Sequence, residues 1–456
     1  MMKNMTLASI TAACSGIFFG NEQQQKLGID GVVIDSRKVK ENFLFIPIKG
    51  ERVDGHDFIP EVMKNGAACT LSEKVLEDVD FPYIFVDSCE QALKDIAEFY
   101  RKNLDILVVG ITGSVGKTST KEIIASVLEQ EFNVLKTQGN FNNEIGLPLT
   151  IFNIQKEHEV AVVEMGISDF GEMHRLAKVA RPDICVITNI GFSHLENLKS
   201  REGILKAKTE IFDFLTSDGA IVLNGDDDML ETVKEVNGIT PTFFGVANTT
   251  GNYADEIESL GLKGSKGTFH IGLDTYKVHI PLPGHHMLYN SLAAASVGKI
   301  LGLTKEQIQK GIETLASVGG RNHMIEVNDY TIIDDCYNAN PVSMKASIDV
   351  LTHALGRKIA VVGDMFELGE KEKELHYQVG EYIGEKVIDF VFASGELSKE
   401  LIRGVQDTGN TCILKHFEKQ DNLIEELKKN LQPGDTVLVK ASHGMHYENV
   451  IKELME

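Results

Sequence analysis

The chain has 456 residues, a formal net charge of -22 and no tryptophan. At ~150 residues per domain this length predicts about three domains, and the acidic balance argues against nucleic acid or an anionic membrane as the main partner. The six cysteines, at 14, 69, 89, 185, 336 and 412, include no CxxC pair, so they read as reduced thiols of a cytoplasmic protein, not as a disulfide framework or zinc site. No apolar run approaches the ~20 residues needed to span a bilayer.

In chain order, Leu7, Ile10, Cys14 and Ile17 lie at helical spacing and predict a first helix in preference to an export signal. The block 1–103 then alternates strand-like runs at 31–35, 43–48, 67–71 and 82–87 with helical ones. A second block, 104–317, opens on the apolar run Asp105-Ile-Leu-Val-Val109, and predicts strands at 159–165, 183–190, 219–224 and 276–282 and an alanine-rich helix after His286. The third, 318–456, reads as strand, helix, strand, helix through 331–335, 342–355, 358–363, 372–385, 389–394, 412–415 and 435–440. Its Gly319-Gly320 pair predicts a hinge over 316–321. The expected class is α/β in three domains: a first α/β domain, a central P-loop domain with a mostly parallel sheet, and a C-terminal Rossmann-like, doubly wound domain.

Between the run ending at Val109 and the helical spacing of Ile123, Ile124, Val127 and Leu128 lies Gly110-Ile-Thr-Gly-Ser-Val-Gly-Lys-Thr-Ser119. Small residues here would let the backbone amides of Thr112, Gly113, Ser114, Val115, Gly116 and Ser119 approach phosphate oxygens. Lys117 would neutralise charge, and Thr118 would ligate magnesium. ATP or GTP is the expected ligand. The loop is a variant, because Ile111 stands where the GxxxxGK pattern wants its first glycine.

Glu164 ends the apolar run Val160-Ala-Val-Val163, where a parallel sheet presents its ligand-binding edge, and is the expected magnesium partner of Thr118. Thr188-Asn-Ile-Gly191 ends the next run and leads to His194. Lys206 and Lys208 follow in a helical context, which by itself reads equally as a solvated face.

The order of these motifs resembles the ATP-dependent Mur ligase family of peptidoglycan synthesis over nearly the whole chain. The resemblance implies that Glu164 holds magnesium, that His194 holds a second ion, and that Lys208 is carried as a carbamate serving the same metal pair. Further segments are similar to the branch that adds D-alanyl-D-alanine to UDP-N-acetylmuramoyl-tripeptide. Asp35-Ser-Arg37 with Asp54-Gly-His56 implies a uridine-nucleotide-binding first domain, with Asp35, Ser36 and Arg37 as contacts. Asn140 and Asn143, in the run 137–146, imply amides near the acceptor carboxylate. Asn290, Arg321 and Asp335 match adenine, phosphate and ribose positions, and Tyr337 and Asn338 imply substrate contacts. Gly363-Asp-Met-Phe-Glu-Leu-Gly369 also points to this branch. Departures are Cys336, His286 and His443, the last standing where the family often has arginine, whose bidentate fork histidine lacks.

The implied chemistry is ATP-dependent amide formation through an acyl phosphate, with ATP, two Mg2+ ions, UDP-MurNAc-tripeptide and D-Ala-D-Ala as ligands and a monomer as the default state. Another amide ligase of the superfamily, such as a folylpolyglutamate synthetase, and a nucleotide-binding regulatory protein remain as alternatives at this point.

Overall fold

The computed structural model describes residues 2–50, 52–316 and 319–456. Three sheets follow one another along the chain. The first holds β1 (Ile17–Phe19), β2 (Gly31–Val33), β3 (Phe43–Phe45), β4 (Cys69–Ser72) and β5 (Tyr83–Phe85) in the order β1-β5-β4-β3-β2. Only β1 runs antiparallel to its neighbour, with Phe18 opposite Ile84. The predicted first helix ends at Ala13, so Ile17 begins an edge strand instead, with its side chain largely exposed. Its helical spacing was accidental. Ser15 turns the chain with φ 51°, and the Gly16 Cα lies so close to Ile84 that an added Cβ would sit 2.5 Å from that side chain.

The central sheet contains β6 (Leu107–Thr112), β7 (Val134–Lys136), β8 (Val160–Glu164), β9 (Ile184–Ile187), β10 (Ala220–Asn224), β11 (Thr242–Gly245), β12 (Asn252–Ser259), β13 (Ser265–Ile271) and β14 (Asp274–Ile280). Their order is β14-β13-β12-β11-β10-β9-β6-β8-β7, parallel from β7 to β12 and antiparallel over the last three. The near-continuous apolar runs of β6, β8 and β9 reflect burial on both faces. β12 carries Asp255, Glu256 and Glu258 on exposed positions, which hid it from an apolar-run reading.

The third sheet is β15 (His323–Val327), β16 (Tyr330–Asp334), β17 (Lys358–Gly363), β18 (Phe390–Ser394), β19 (Ile413–Phe417) and β20 (Thr436–Lys440), ordered β15-β16-β20-β17-β18-β19. All pairings but β15 with β16 are parallel. One apolar cluster runs from the first sheet through Tyr100 into the face of the central sheet carrying Val108, Ala161 and Cys185, so these two parts share a core. Separate clusters cover the opposite central face and the two faces of the third sheet. The boundary read at 317 and part of the hinge read over 316–321 lie outside the described residues. Among the described residues, no helix is long and apolar enough to cross a membrane, and all six cysteines are free.

Candidate active site

β6 lies between β8 and β9, so the chain leaves it in one direction toward β7 and β8 and in the other toward β9. Such a switch point opens a crevice at the carboxyl ends of the strands. Several of the loops that face this crevice carry motifs found in the sequence, among them the phosphate loop, the run 137–146 and the segments around His194 and Asp335.

The phosphate loop leaves β6 at Thr112, and Gly116 takes φ 84° immediately before the helix Lys117–Leu128, whose first turn has no side-chain cap. The uncapped amides of that turn suit an anion. Asn189 shapes the loop from beneath: Ser114 N donates to its carbonyl at 3.0 Å and Val115 N to its Oδ1 at 3.0 Å. Thr188 Oγ1 donates to Val115 O at 2.6 Å, and Gly191 N to Ser114 Oγ at 2.8 Å. The loop therefore needs glycine at Gly113, two residues beyond the Ile111 that replaces the pattern's first glycine, since a Cβ there would lie 1.9 Å from Thr188 Oγ1. Asn189 was not singled out in the sequence. It lies one residue beyond the noted Thr188, and nothing in the pattern tells that its amide would turn back under the loop.

Thr118 Oγ1 donates to Glu164 Oε2 at 2.9 Å, and Glu164 is 1 % exposed at the end of β8. The expected pair is thus assembled. Asn142 Nδ2 donates to the other oxygen, Glu164 Oε1, at 2.8 Å. Asn140 and Asn143, read in the sequence as amides near the acceptor carboxylate, both line the cleft, and Asn143 Oδ1 also accepts from Gly146 N at 2.8 Å at the start of the next helix. Three asparagines within four residues have the same composition signal, and only the loop's path decides which one reaches Glu164.

Lys117 Nζ rests on Gly113 O at 2.9 Å. Burial lowers its ammonium pKa; Glu164 raises it and Arg321 lowers it further. Lys208 is 1 % exposed, and burial followed by the charge of Lys117 holds its amine well below the ordinary lysine value. It is not among the residues that line the cleft, whereas His194, expected beside it on a metal, lines the cleft and gives Nδ1 to Glu367 Oε2 at 2.6 Å. No group of three or more His, Cys, Asp or Glu side chains gathers as a metal site among the described residues. Glu367, in the Gly363–Gly369 segment, thus ties the third domain to the central one.

From the third domain, Arg321 lies 4.3 Å over the Tyr337 ring, and both face the same cleft of about 770 Å³. Asp335 follows β16 and is nearly buried. Its Oδ2 takes Lys440 Nζ at 2.5 Å and the Ser347 hydroxyl, and its Oδ1 takes Asn322 N at 3.1 Å. Asn338 Oδ1 accepts from Ala339 N at 2.9 Å, and the exposed His443 stands 5.5 Å from the Tyr337 ring. Asn290 is buried against the loop, its Oδ1 3.1 Å from where a Gly116 Cβ would be. In the first domain, Asp35 folds its carboxylate back on Arg37 at 2.9 Å and caps a short turn that includes Ser36. These three residues lie away from the cleft.

His286 also lines the cleft, with Nε2 3.5 Å from Asn322 Nδ2. Burial, partly offset by Asp335, lowers its pKa to about 4. The unfolded chain therefore holds a proton between pH ~6.5 and about 4 that the folded chain does not, and this group makes stability fall as pH falls through that window. His286→Asn is expected to remove on the order of 2 kcal/mol of that loss, read as the difference in urea unfolding free energy between pH 6.5 and about 4.5 in the two proteins. Equal pH slopes would refute it.

Family models match along the whole course of these motifs: "Mur ligase family, catalytic domain" over residues 28–101, "Mur ligase middle domain" over 111–298 and "Mur ligase, glutamate ligase domain" over 320–443. A Bacillus subtilis protein named UDP-N-acetylmuramoyl-tripeptide--D-alanyl-D-alanine ligase is 37% identical over 100% of this chain and 99% of its own. The chain belongs to the Mur ligase family. The crystal structure of MurF from Acinetobacter baumannii matches this Mur ligase with a TM-score of 0.90 at 30% identity, covering 99% of this chain and 98% of the other. MurF from Thermotoga maritima, solved in complex with ADP, gives 0.83 at 32% identity, covering 96% of this chain and 98% of that one.

Proposed function

We propose that the chain is an ATP-dependent amide ligase joining D-alanyl-D-alanine to UDP-N-acetylmuramoyl-tripeptide, forming ADP, phosphate and the pentapeptide precursor of peptidoglycan in the cytoplasm. The observation that carries this reading is the Thr118–Glu164 pair beside the phosphate loop, set in a chain whose full-length relatives bear that activity's name. In this reading residues 1–103 hold the uridine nucleotide, 104–317 the ATP, and 318–456 complete the ATP site and admit the dipeptide.

The tripeptide's terminal carboxylate attacks the γ-phosphorus of ATP, the bond to the ADP oxygen breaks, and an acyl phosphate forms. The dipeptide amine then forms the C–N bond as phosphate leaves with the C–O electron pair and the amine sheds its proton. Because Asp35, Ser36 and Arg37 lie away from the cleft, a uridine nucleotide held there leaves the peptide arm to extend to the phosphate loop. Only its terminal carboxylate needs to reach Lys117. That lysine meets two anions, ATP and carboxylate, in a partly desolvated wall, where a fixed positive charge is worth more than in water.

Thr118 and Glu164 suit a magnesium ion, since a hydroxyl and a carboxylate oxygen already converge at 2.9 Å. Magnesium bound there would neutralise phosphate charge and polarise the transferred group. Lys208 would join His194 on a second ion as a carbamate. Its support is a buried amine with its pKa well depressed, the neutral form being the one that adds carbon dioxide. In this reading Arg321 would meet a phosphate, Asp335 the ribose and Asn290 the base.

The test is ADP release by the purified protein with magnesium, ATP, D-Ala-D-Ala and UDP-MurNAc-tripeptide, omitting each in turn and supplying lysine and diaminopimelate tripeptides separately. Release that needs every component, with pentapeptide found by mass, is expected. Nucleotide binding without ligation would favour a regulatory role.

A further inference from the structure

The loop over residues 137–146 is tied at two nearby points to groups of different origin. At the first, Asn142 gives Nδ2 to Glu164 Oε1 at 2.8 Å and accepts Gly166 N on its carbonyl at 2.8 Å, while Thr137 Oγ1 accepts Glu164 N at 3.0 Å. At the second, Glu144 accepts Arg175 Nε at 2.5 Å and Nη2 at 3.0 Å in a two-pronged pair, and Lys94 Nζ at 3.3 Å. Arg175 sits on the helix Glu172–Ala180, which follows β8, and Lys94 on the helix Cys89–Lys102 of the first domain. Lys94 also reaches Glu90 at 3.4 Å, and Glu90 and Glu144 both line the cleft.

Only Asn143 separates these two ties, and the turn around it is tight. Asn143 Oδ1 accepts the amides of Ile145 and Gly146, and a Cβ on Gly146 would lie 2.4 Å from Phe141 Cα. A displacement at Glu144 must therefore move Asn142. A charged fork to arginine is also directional, unlike a lone ammonium contact.

We propose that Glu144 is a positioning residue: gripping Arg175 and Lys94, it fixes through this turn the Asn142 amide that orients Glu164, and so couples the placement of the first domain to the phosphoryl-transfer site. The proposal rests on the ligase reading for its purpose, but its geometry is testable through metal binding alone. Lys94 joins the first domain to the loop, and Arg175 joins the central helix, so the loop responds to both.

The experiment measures Mn2+ affinity in the presence of ATP by electron paramagnetic resonance, together with thermal unfolding and ligation kinetics, for wild type, Glu144→Gln, Arg175→Lys and Asn142→Ala. Glu144→Gln is expected to weaken Mn2+ binding roughly 10-fold and to lower kcat by about as much, with KM for ATP changing less than about 3-fold, the range seen when an outer partner of a metal ligand is lost. Arg175→Lys, which keeps the charge and loses the fork, should shift Mn2+ affinity in the same direction. The double variant Glu144→Gln with Asn142→Ala should be no worse than Asn142→Ala alone, because both act through one contact. Unchanged Mn2+ affinity in folded Glu144→Gln and Arg175→Lys, or effects of Glu144→Gln and Asn142→Ala that multiply, would overturn it. Wild type that binds Mn2+ with ATP but makes no pentapeptide would sink the ligase reading and leave this coupling to be judged on affinity.

Discussion

Lys117→Met should lower kcat/KM for pentapeptide formation by about 10³-fold while the protein stays folded. The lysine is the cation held directly on the phosphate loop, by Gly113 O at 2.9 Å, next to the buried Glu164. Removing one preorganised donor from a site of developing charge costs on the order of 10²–10³ in rate, and this donor also carries the charge that lets two anions meet. Methionine keeps an unbranched apolar stem about one atom shorter and removes the charge. Because burial already disfavours the ammonium, its loss should leave the thermal midpoint within a few degrees of wild type. The check is steady-state ADP release paired with thermal unfolding. A loss of under about 10-fold in a folded variant would remove Lys117 from the transfer step.

Glu164→Gln should produce the second large loss, about 10²-fold or more in kcat/KM, with Mn2+ affinity in the presence of ATP falling by a similar factor. Glutamine preserves the shape and can still accept from Thr118, but it lacks the negative charge that a divalent ion needs from its protein ligands. It also withdraws the one charge that raises the Lys117 pKa, so the remaining ammonium would be destabilised further. The Lys117→Met and Glu164→Gln losses should therefore be non-additive when combined, as expected of groups in one electrostatic unit. Isothermal titration with Mn2+ and ATP separates this reading from a merely structural one. Undiminished metal affinity would show that Glu164 serves only to hold Thr118 and Asn142.

Where the sequence spoke clearly, it did so through patterns with a local cause. The phosphate loop was legible because glycines between a doubly buried strand and an apolar helix have few other uses. Glu164 was legible because a carboxylate closing an apolar run sits at the ligand edge of a parallel sheet. The polar strand β12 and the three-residue strand β7 were not, since their exposed or intermediate side chains give no periodic apolar signal. Ile17 was misread because helical spacing over one extra turn carries little information against a left-handed turn at Ser15.

By itself the sequence determined the class of fold, the nucleotide loop, the acidic strand end and the likeness to a ligase family. Each depends on a residue's own neighbours in the chain, or on the order of several such stretches. Only the tertiary structure decided which amide serves Glu164, that Asn189 supports the loop, that His194 pairs with Glu367 across domains while Lys208 is buried outside the cleft lining, and that Asp335 is held by Lys440. These contacts join residues separated by up to 173 positions, as in His194 with Glu367, or 105, as in Asp335 with Lys440. Nothing local selects among the many polar side chains that could make such contacts. Sheet order and loop paths bring one of them within hydrogen-bond reach, and for the buried groups, Glu164 and Asp335, burial then penalises any arrangement that leaves them unpaired.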